Sequence, residues 1–243
     1  MILFKYLQII IQLSYIFSVV ILLFPFKSTE EKNRFLSKRC QSILDILGVV
    51  LEIDGQLPHL ETGLLFVANH ISWLDIVLIL VWHPVRFVAK KEVSAWPLFG
   101  WFAKQINTLF IDRQLKGDSK NISAKMTAAL KNGDHICIFP EGTSTNGVSV
   151  LEFKPNLFQS AIDANVACQP FSIQYKSMQT GELSDGPAFI GEMGLIESIK
   201  NTLKAAPIKA IITITPICRS SVDRKALSEH ARDLIIHSRI NKL

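Results

Sequence analysis

Apolar residues along this chain fall into three kinds of run, and each kind predicts a different element. The first is Tyr6 to Phe26, 21 residues almost without interruption, which as a helix would reach roughly 31 Å, close to the hydrocarbon thickness of a bilayer. Gln8, Gln12, Ser14 and Ser18 interrupt it, so it predicts either a membrane-crossing helix or one lying in the interface. The second kind has helical spacing: Leu36, Cys40, Ile43 and Leu47 in a helix from Asn33 that ends at Gly48, and Ile122, Met126, Ala129 and Leu130 between a cap at Asp118 or Ser119 and Gly133. Asn156 caps another helix, and Leu227, Ala231, Leu234 and Ile235 follow a cap at Asp223. Trp73 to Trp82 is too long and apolar for a strand and also predicts a helix. The third kind is short and strand-like: Val49–Ile53, Gly63–Ala68, Val85–Ala89, Thr108–Ile111, Ile136–Phe139, Val166–Tyr175 and Ala210–Thr215. Pro170 predicts an edge or a bulge in the sixth of these, and polar Lys176 to Glu192 predicts a surface excursion. The alternation predicts an α/β fold: a mixed, mostly parallel sheet of about seven strands flanked by helices, behind an N-terminal helix.

Composition narrows the setting. The chain has 243 residues, 49% of them apolar, enough for one sizeable core, and no internal repeat or low-complexity tail divides it. Two units are expected, Met1 to Phe26 and Lys27 to Leu243. Mean hydropathy is +0.28 and formal net charge +5, a pairing that suits an anionic membrane surface. No basic–aromatic motif speaks for nucleic acid. Lys5 is the one basic residue ahead of the apolar run and no small-residue cleavage site precedes Pro25, so the segment is expected to be retained rather than cleaved. Lys27, Lys32, Arg34, Lys38 and Arg39 follow it and place what comes after on the cytoplasmic side. Cys40, Cys137, Cys168 and Cys218 are far apart and read as free thiols in a reducing compartment. The aromatic cluster Trp96 to Phe102 reads equally as a lipid-facing patch or a core contact.

Candidate chemistry centres on Asn69-His70-Ile71-Ser72-Trp73-Leu74-Asp75. On one helix His70 and Asp75 would lie about 140° apart around the axis, whereas a loop-to-helix turn brings them together. Ser72 as N-cap with Asp75 at the third helical position provides such a turn. A neutral imidazole is a general base near pH 7, and a carboxylate can orient it. Downstream, Thr108–Ile111 delivers Asp112 and Arg113 to a strand end, where ligands often bind in α/β sheets. Arg113 offers a bidentate grip on phosphate, or a surface pair with Asp112. The loop Pro140–Gly147 carries Glu141, Gly142 for close backbone approach, and the hydroxyls of Thr143, Ser144 and Thr145; alone it also reads as a capped turn. A serine hydrolase would need Gly-x-Ser-x-Gly, and Gly142-Thr143-Ser144-Thr145-Asn146 lacks the second glycine. Neither Gly-x-Gly-x-x-Gly nor a phosphate-binding loop occurs.

Taken in order, Asn69–Asp75, Phe110-Ile111-Asp112-Arg113, Phe139-Pro140-Glu141-Gly142-Thr143 and Val166–Pro170 resemble the four sequence blocks of the bacterial 1-acylglycerol-3-phosphate acyltransferases, within the glycerolipid acyltransferases. The resemblance covers roughly Val49 to Ile217. It implies a glycerolipid acyltransferase fold with an N-terminal membrane anchor, at the inner membrane with the catalytic domain on its cytoplasmic side. The implied reaction moves a fatty acyl group from acyl-CoA or acyl-carrier protein to the free hydroxyl of a lysolipid, with no bound cofactor and no metal. In its terms His70 is the general base, Asp75 its partner, and Lys91, Arg113, Glu141, Gly142 and Thr143 serve the acceptor. Members acting on glycerol phosphate often carry arginine after the Glu-Gly-Thr, where this chain has Ser144. That form resembles a branch including lyso-ornithine lipid acyltransferases. The contrasting expectation, of another class, is a non-catalytic lipid-binding membrane protein.

Overall fold

The computed structural model describes residues 2–59, 62–95, 99–112, 118–219 and 223–240. Within them the strands are β1 (Val49–Asp54), β2 (Leu65–Ala68), β3 (Arg86–Lys90), β4 (Leu109–Ile111), β5 (Ile136–Ile138), β6 (Cys168–Ser177) and β7 (Ile208–Ile214). The helices are α1 (Ile2–Leu22), α2 (Thr29–Leu47), α3 (Leu74–Trp82), α4 (Phe99–Gln105), α5 (Asp118–Lys131), α6 (Gln159–Ala164), α7 (Leu195–Ala205) and α8 (Arg224–Ile240). All seven expected strands are present, in one sheet of order β1-β7-β6-β2-β5-β3-β4. The stretch β6-β2-β5-β3-β4 is parallel throughout; β7 runs antiparallel to β6, and β1 pairs parallel with β7. The sheet is mixed and mostly parallel, as the sequence predicts.

β2 shows why the site lies where it does. Its four residues, Leu-Phe-Val-Ala, are all buried, because strands covered on both faces are apolar at every position. Phe66 and Ala68 face a core shared with Leu44 and Leu47 of α2, Leu78 and Ile79 of α3, and Ile199 and Leu203 of α7. Leu65 and Val67 face the opposite core, with Met126 and Leu130 of α5, Ala161 of α6 and Ala231 and Ile235 of α8. Both faces being filled, the strand's C-terminal end is its outlet, and there the chain turns into Asn69 and His70. The side chain of Asn69 copies a backbone pair, its Nδ2 donating to Ile173 O at 3.0 Å and its Oδ1 accepting from Ile173 N at 2.8 Å. This extends the β2–β6 attachment one residue past the strand.

Three features depart from expectation. β6 is an interior strand, yet Pro170 does no harm to its ladder. Its carbonyl accepts from Thr215 N at 3.2 Å, so its missing N–H points toward the β7 side. There the pairing is interrupted between the Cys168–Cys218 bridge and the ladder that starts at Phe171. The proline is locally at an edge. α2 begins earlier than predicted, because Ser28 and Glu31 form a reciprocal capping box, while Gly48 at φ 76° closes it as expected. α7 was not predicted: its buried face includes Ser198 and Thr202, and hydroxyl residues there hide the apolar periodicity.

α1 is apolar and long enough over Leu3–Leu22 to cross a membrane, but it packs on the domain along its length. Ile9 joins the α2–α3 core, and Ile16, Val19, Val20 and Phe24 cluster with Leu36 of α2 and Trp101 and Phe102 of α4. Leu3, Phe4, Leu7, Ile10, Ile11, Ile21 and Leu22 remain exposed. Of the Trp96–Phe102 cluster, residues 96–98 lie outside the described residues, and Trp101 and Phe102 pack against Phe17 of α1.

Candidate active site

The turn after β2 brings His70 and Asp75 together as the sequence predicts, although α3 starts one residue later than a Ser72 cap implies, with Trp73 at the N-cap and Asp75 its second residue. Asp75 Oδ2 accepts from Ser72 N at 2.9 Å and from Ile71 N at 2.7 Å, while Ser72 Oγ accepts from Leu74 N at 3.2 Å. The carboxylate is thereby bent back over the start of α3, and the same Oδ2 lies 2.9 Å from His70 Nδ1. Asp75 is fully buried and His70 retains 21% side-chain exposure. An ionised carboxylate only accepts, so His70 carries its proton on Nδ1 and presents Nε2 as the basic nitrogen. Phe139 stacks on the imidazole at 4.1 Å between centroids and 18° between planes, fixing the ring's plane. Asp75 Oδ1 accepts from Tyr175 Oη at 2.7 Å. A buried carboxylate needs such donors, and here both oxygens are occupied. Burial and the neighbouring Asp75 push the Tyr175 phenol well above its ordinary value, so it stays a donor.

Tyr175 was not singled out in the sequence. Its strand was readable, but its pairing with a residue one hundred positions earlier depends on β6 lying beside β2. Phe189 is a second such residue: its N–H donates to Ile71 O at 2.9 Å, and its carbonyl accepts from Ser144 Oγ. The polar stretch read as a surface excursion thus returns at Phe189 to bond both the His70 turn and the loop after β5.

Glu141 stands on the loop after β5. Its Oε1 accepts from His70 N at 2.7 Å and its Oε2 from Leu151 N at 2.8 Å; it is 3% exposed. Burial raises its pKa, while its bonds to the Leu151 and His70 amides act in the opposite direction. Thr145 N donates to His70 O at 2.9 Å, so the loop holds the histidine's backbone at both its N–H and its carbonyl. Gly142 takes φ 73°, a left-handed conformation that favours glycine, and Thr143 is exposed. Lys91, on the short 3₁₀ segment after β3, pairs with Asp112 at 2.9 Å, linking the ends of β3 and β4. Arg113 lies outside the described residues. The structure therefore joins His70, Asp75 and Glu141 by hydrogen bonds and carries Gly142 and Thr143 on the same loop, with Lys91 on a neighbouring strand end. Among the described residues, no three His, Cys, Asp or Glu side chains gather as a metal-binding set.

A family profile described as Acyltransferase matches residues 49–174, which contain the whole of this hydrogen-bonded centre except Tyr175 and Phe189. The chain belongs to the acyltransferase family. Among its relatives, the lyso-ornithine lipid O-acyltransferase of Pseudomonas aeruginosa is 37% identical over 76% of this chain and 70% of its own. The 1-acyl-sn-glycerol-3-phosphate acyltransferase of Neisseria meningitidis serogroup B is 30% identical over 85% of this chain and 81% of its own. The solved 1-acyl-sn-glycerophosphate acyltransferase of Thermotoga maritima superposes with a TM-score of 0.71, covering 99% of this acyltransferase and 94% of that chain at 21% identity. At that identity the likeness speaks for the fold, which the two share from the N-terminal helix onward.

Proposed function

We propose that this acyltransferase moves a fatty acyl group from acyl-CoA or acyl-carrier protein to the free hydroxyl of a lysolipid, with His70 as general base. The observation that carries the reading is the His70–Asp75 pair at the C-terminal end of β2: a partly exposed imidazole whose Nδ1 is committed to a buried carboxylate. His70 Nε2 takes the acceptor's hydroxyl proton as that oxygen attacks the thioester carbonyl carbon. The ester C–O bond forms as the C–S bond breaks, and the imidazolium returns its proton to the departing thiolate. Asp75 stabilises the imidazolium formed on the way, and Tyr175 and the turn amides keep that carboxylate in place. Glu141, through its grip on the His70 amide, supports the acceptor-side loop. Lys91, Arg113, Gly142 and Thr143 serve the acceptor's head group.

The first acceptor is 1-acylglycerol-3-phosphate, giving phosphatidic acid. A second reading, acylation of lyso-ornithine lipid, is favoured by Ser144: it stands where a cation would grip phosphate, and its hydroxyl is spent on the Phe189 carbonyl. The 37% identical relative bears that acceptor in its name. Residues 1–26 act as the membrane anchor of a catalytic domain spanning 27–243, held at the cytoplasmic side of the inner membrane by the exposed apolar face of α1 and the basic residues that follow it.

Membranes containing wild type or His70→Ala are given a labelled acyl donor with each acceptor in turn. Transfer by wild type and a loss of at least about 10²-fold in His70→Ala is expected for a lost general base; near-normal turnover in the variant would sink the mechanism. Preference for lyso-ornithine lipid over the phosphate acceptor selects the second reading.

A further inference from the structure

The C-terminal helix α8 lies outside the matched segment 49–174, yet two of its arginines reach the active-site loop. Arg232 Nε donates to Leu151 O and its Nη2 to Val150 O, both at 2.8 Å. Arg239, seven positions on and so on the same helical face, is 6% exposed, and its Nη2 donates to Gly147 O. Three carbonyls of one loop are thus held from a single helix. The loop has little freedom of its own at this point: Gly147 sits at φ 78°, and a Cβ there would come within 2.9 Å of Ile71. It is wedged between α8 and the catalytic turn.

The connection continues inward. Leu151, whose carbonyl Arg232 holds, donates its N–H to Glu141 Oε2, and Glu141 Oε1 holds the N–H of His70. Arg239 also acts on Glu141 through charge. Burial disfavours the charged form of each, and each favours the charged form of the other. A buried guanidinium is a costly way to hold one carbonyl, and Arg239 Nε has no hydrogen-bond partner. Its placement makes sense if its charge keeps the Glu141 carboxylate available to the His70 amide.

We propose that Arg239, seconded by Arg232, is a positioning residue of the acyltransferase: from α8 it holds the 141–151 loop so that Glu141 keeps the His70 turn in its reactive geometry. This rests on the acyl-transfer reading above for its kinetic consequence, though not for its structural one. Lysine keeps the charge but loses the planar fork, so it should rescue in part.

The test is made on the full chain. Arg239→Met is compared with Arg239→Lys, each in the wild-type and the Glu141→Gln background, with kcat and KM for the lysolipid measured separately. Amide hydrogen exchange at His70 and Leu151 is followed in the same proteins. Arg239→Met is expected to lower kcat about 10- to 100-fold with KM changed less than about threefold, and Arg239→Lys to recover part of it. In the Glu141→Gln background the same substitution should cost no more than about twofold, because residues acting through one another are not additive. Exchange at both amides should quicken about tenfold or more. Equal losses in the two backgrounds, a loss confined to KM, or unchanged exchange would overturn the proposal. If Arg239→Met does not fold, Arg232→Met takes its place, with a smaller kcat loss of about three- to tenfold expected and the same quickened exchange; no change in either overturns the proposal. Exchange needs no turnover, so a wild type inactive on every lysolipid would refute the acyl-transfer reading, while the exchange rates still decide whether Arg239 holds the 141–151 loop.

Discussion

In the proposed reaction His70 and Asp75 carry the chemistry, and the residues around them set its geometry. Asp75 receives four donors: the imidazole, two turn amides and Tyr175 Oη. Tyr175→Phe removes one of them without changing the packed ring. It is expected to cost about 1.5–3 kcal/mol of stability, the range for a hydrogen bond to a charged group, read by denaturant unfolding, and to lower acyl transfer by a smaller factor than His70→Ala. Asp75→Asn should be more severe for activity, since the amide can no longer stabilise the imidazolium; a loss of about 10²-fold or more is expected in the transfer assay. The sequence displays His70, Asp75 and the Ser72 cap because they are neighbours in one turn, governed by local hydrogen bonding. Tyr175, Phe189 and Arg239 are not displayed, because each reaches the site through tertiary packing that no local pattern encodes.

Among the elements, α1 shows most clearly what a hydropathy pattern leaves open. Two geometries fit the apolar run, across the bilayer or in its interface, and composition does not separate them. In the fold, one face of α1 packs on α2 and α4 from Ile9 to Val20, and its opposite face is exposed along the domain's flank. Replacing Leu7, Ile10 and Ile11, all exposed, by serine is therefore expected to release the protein from anionic vesicles in a sedimentation assay. Each such side chain contributes about 1.5 kcal/mol or more when buried, while its removal leaves the core face intact. Unchanged sedimentation would move attention to Trp101 and Phe102. Excising residues 1–26 is a harsher experiment, since it uncovers Leu36 and its neighbours on α2.

Across the whole molecule, acid should unfold the protein earlier than its carboxylates alone would dictate. His83, between α3 and β3, is pushed down from 6.5 to about 4, first by burial and then by the neighbouring His135, whose ring centroid lies 5.0 Å away. Its Nε2 is buried without a hydrogen-bond partner. As pH falls through 6.5 the unfolded chain takes up a proton that the folded histidine refuses until about 4, so stability declines across that window. Allowing for partial exposure, the decline is about 1–2 kcal/mol. Thermal unfolding as a function of pH should show it, and His83→Phe should flatten it. From sequence alone, the seven strands, six of the eight helices described, the family and the turn that joins His70 to Asp75 were legible, because each depends on short-range periodicity, capping or a contiguous motif. The tertiary structure decided the strand order that sets Tyr175 against Asp75, the docking of α1 along the domain and the reach of α8 to the loop beside His70. Those contacts join residues far apart in the chain, and they exist because burying both faces of one sheet leaves few ways to place the strands and helices that cover it.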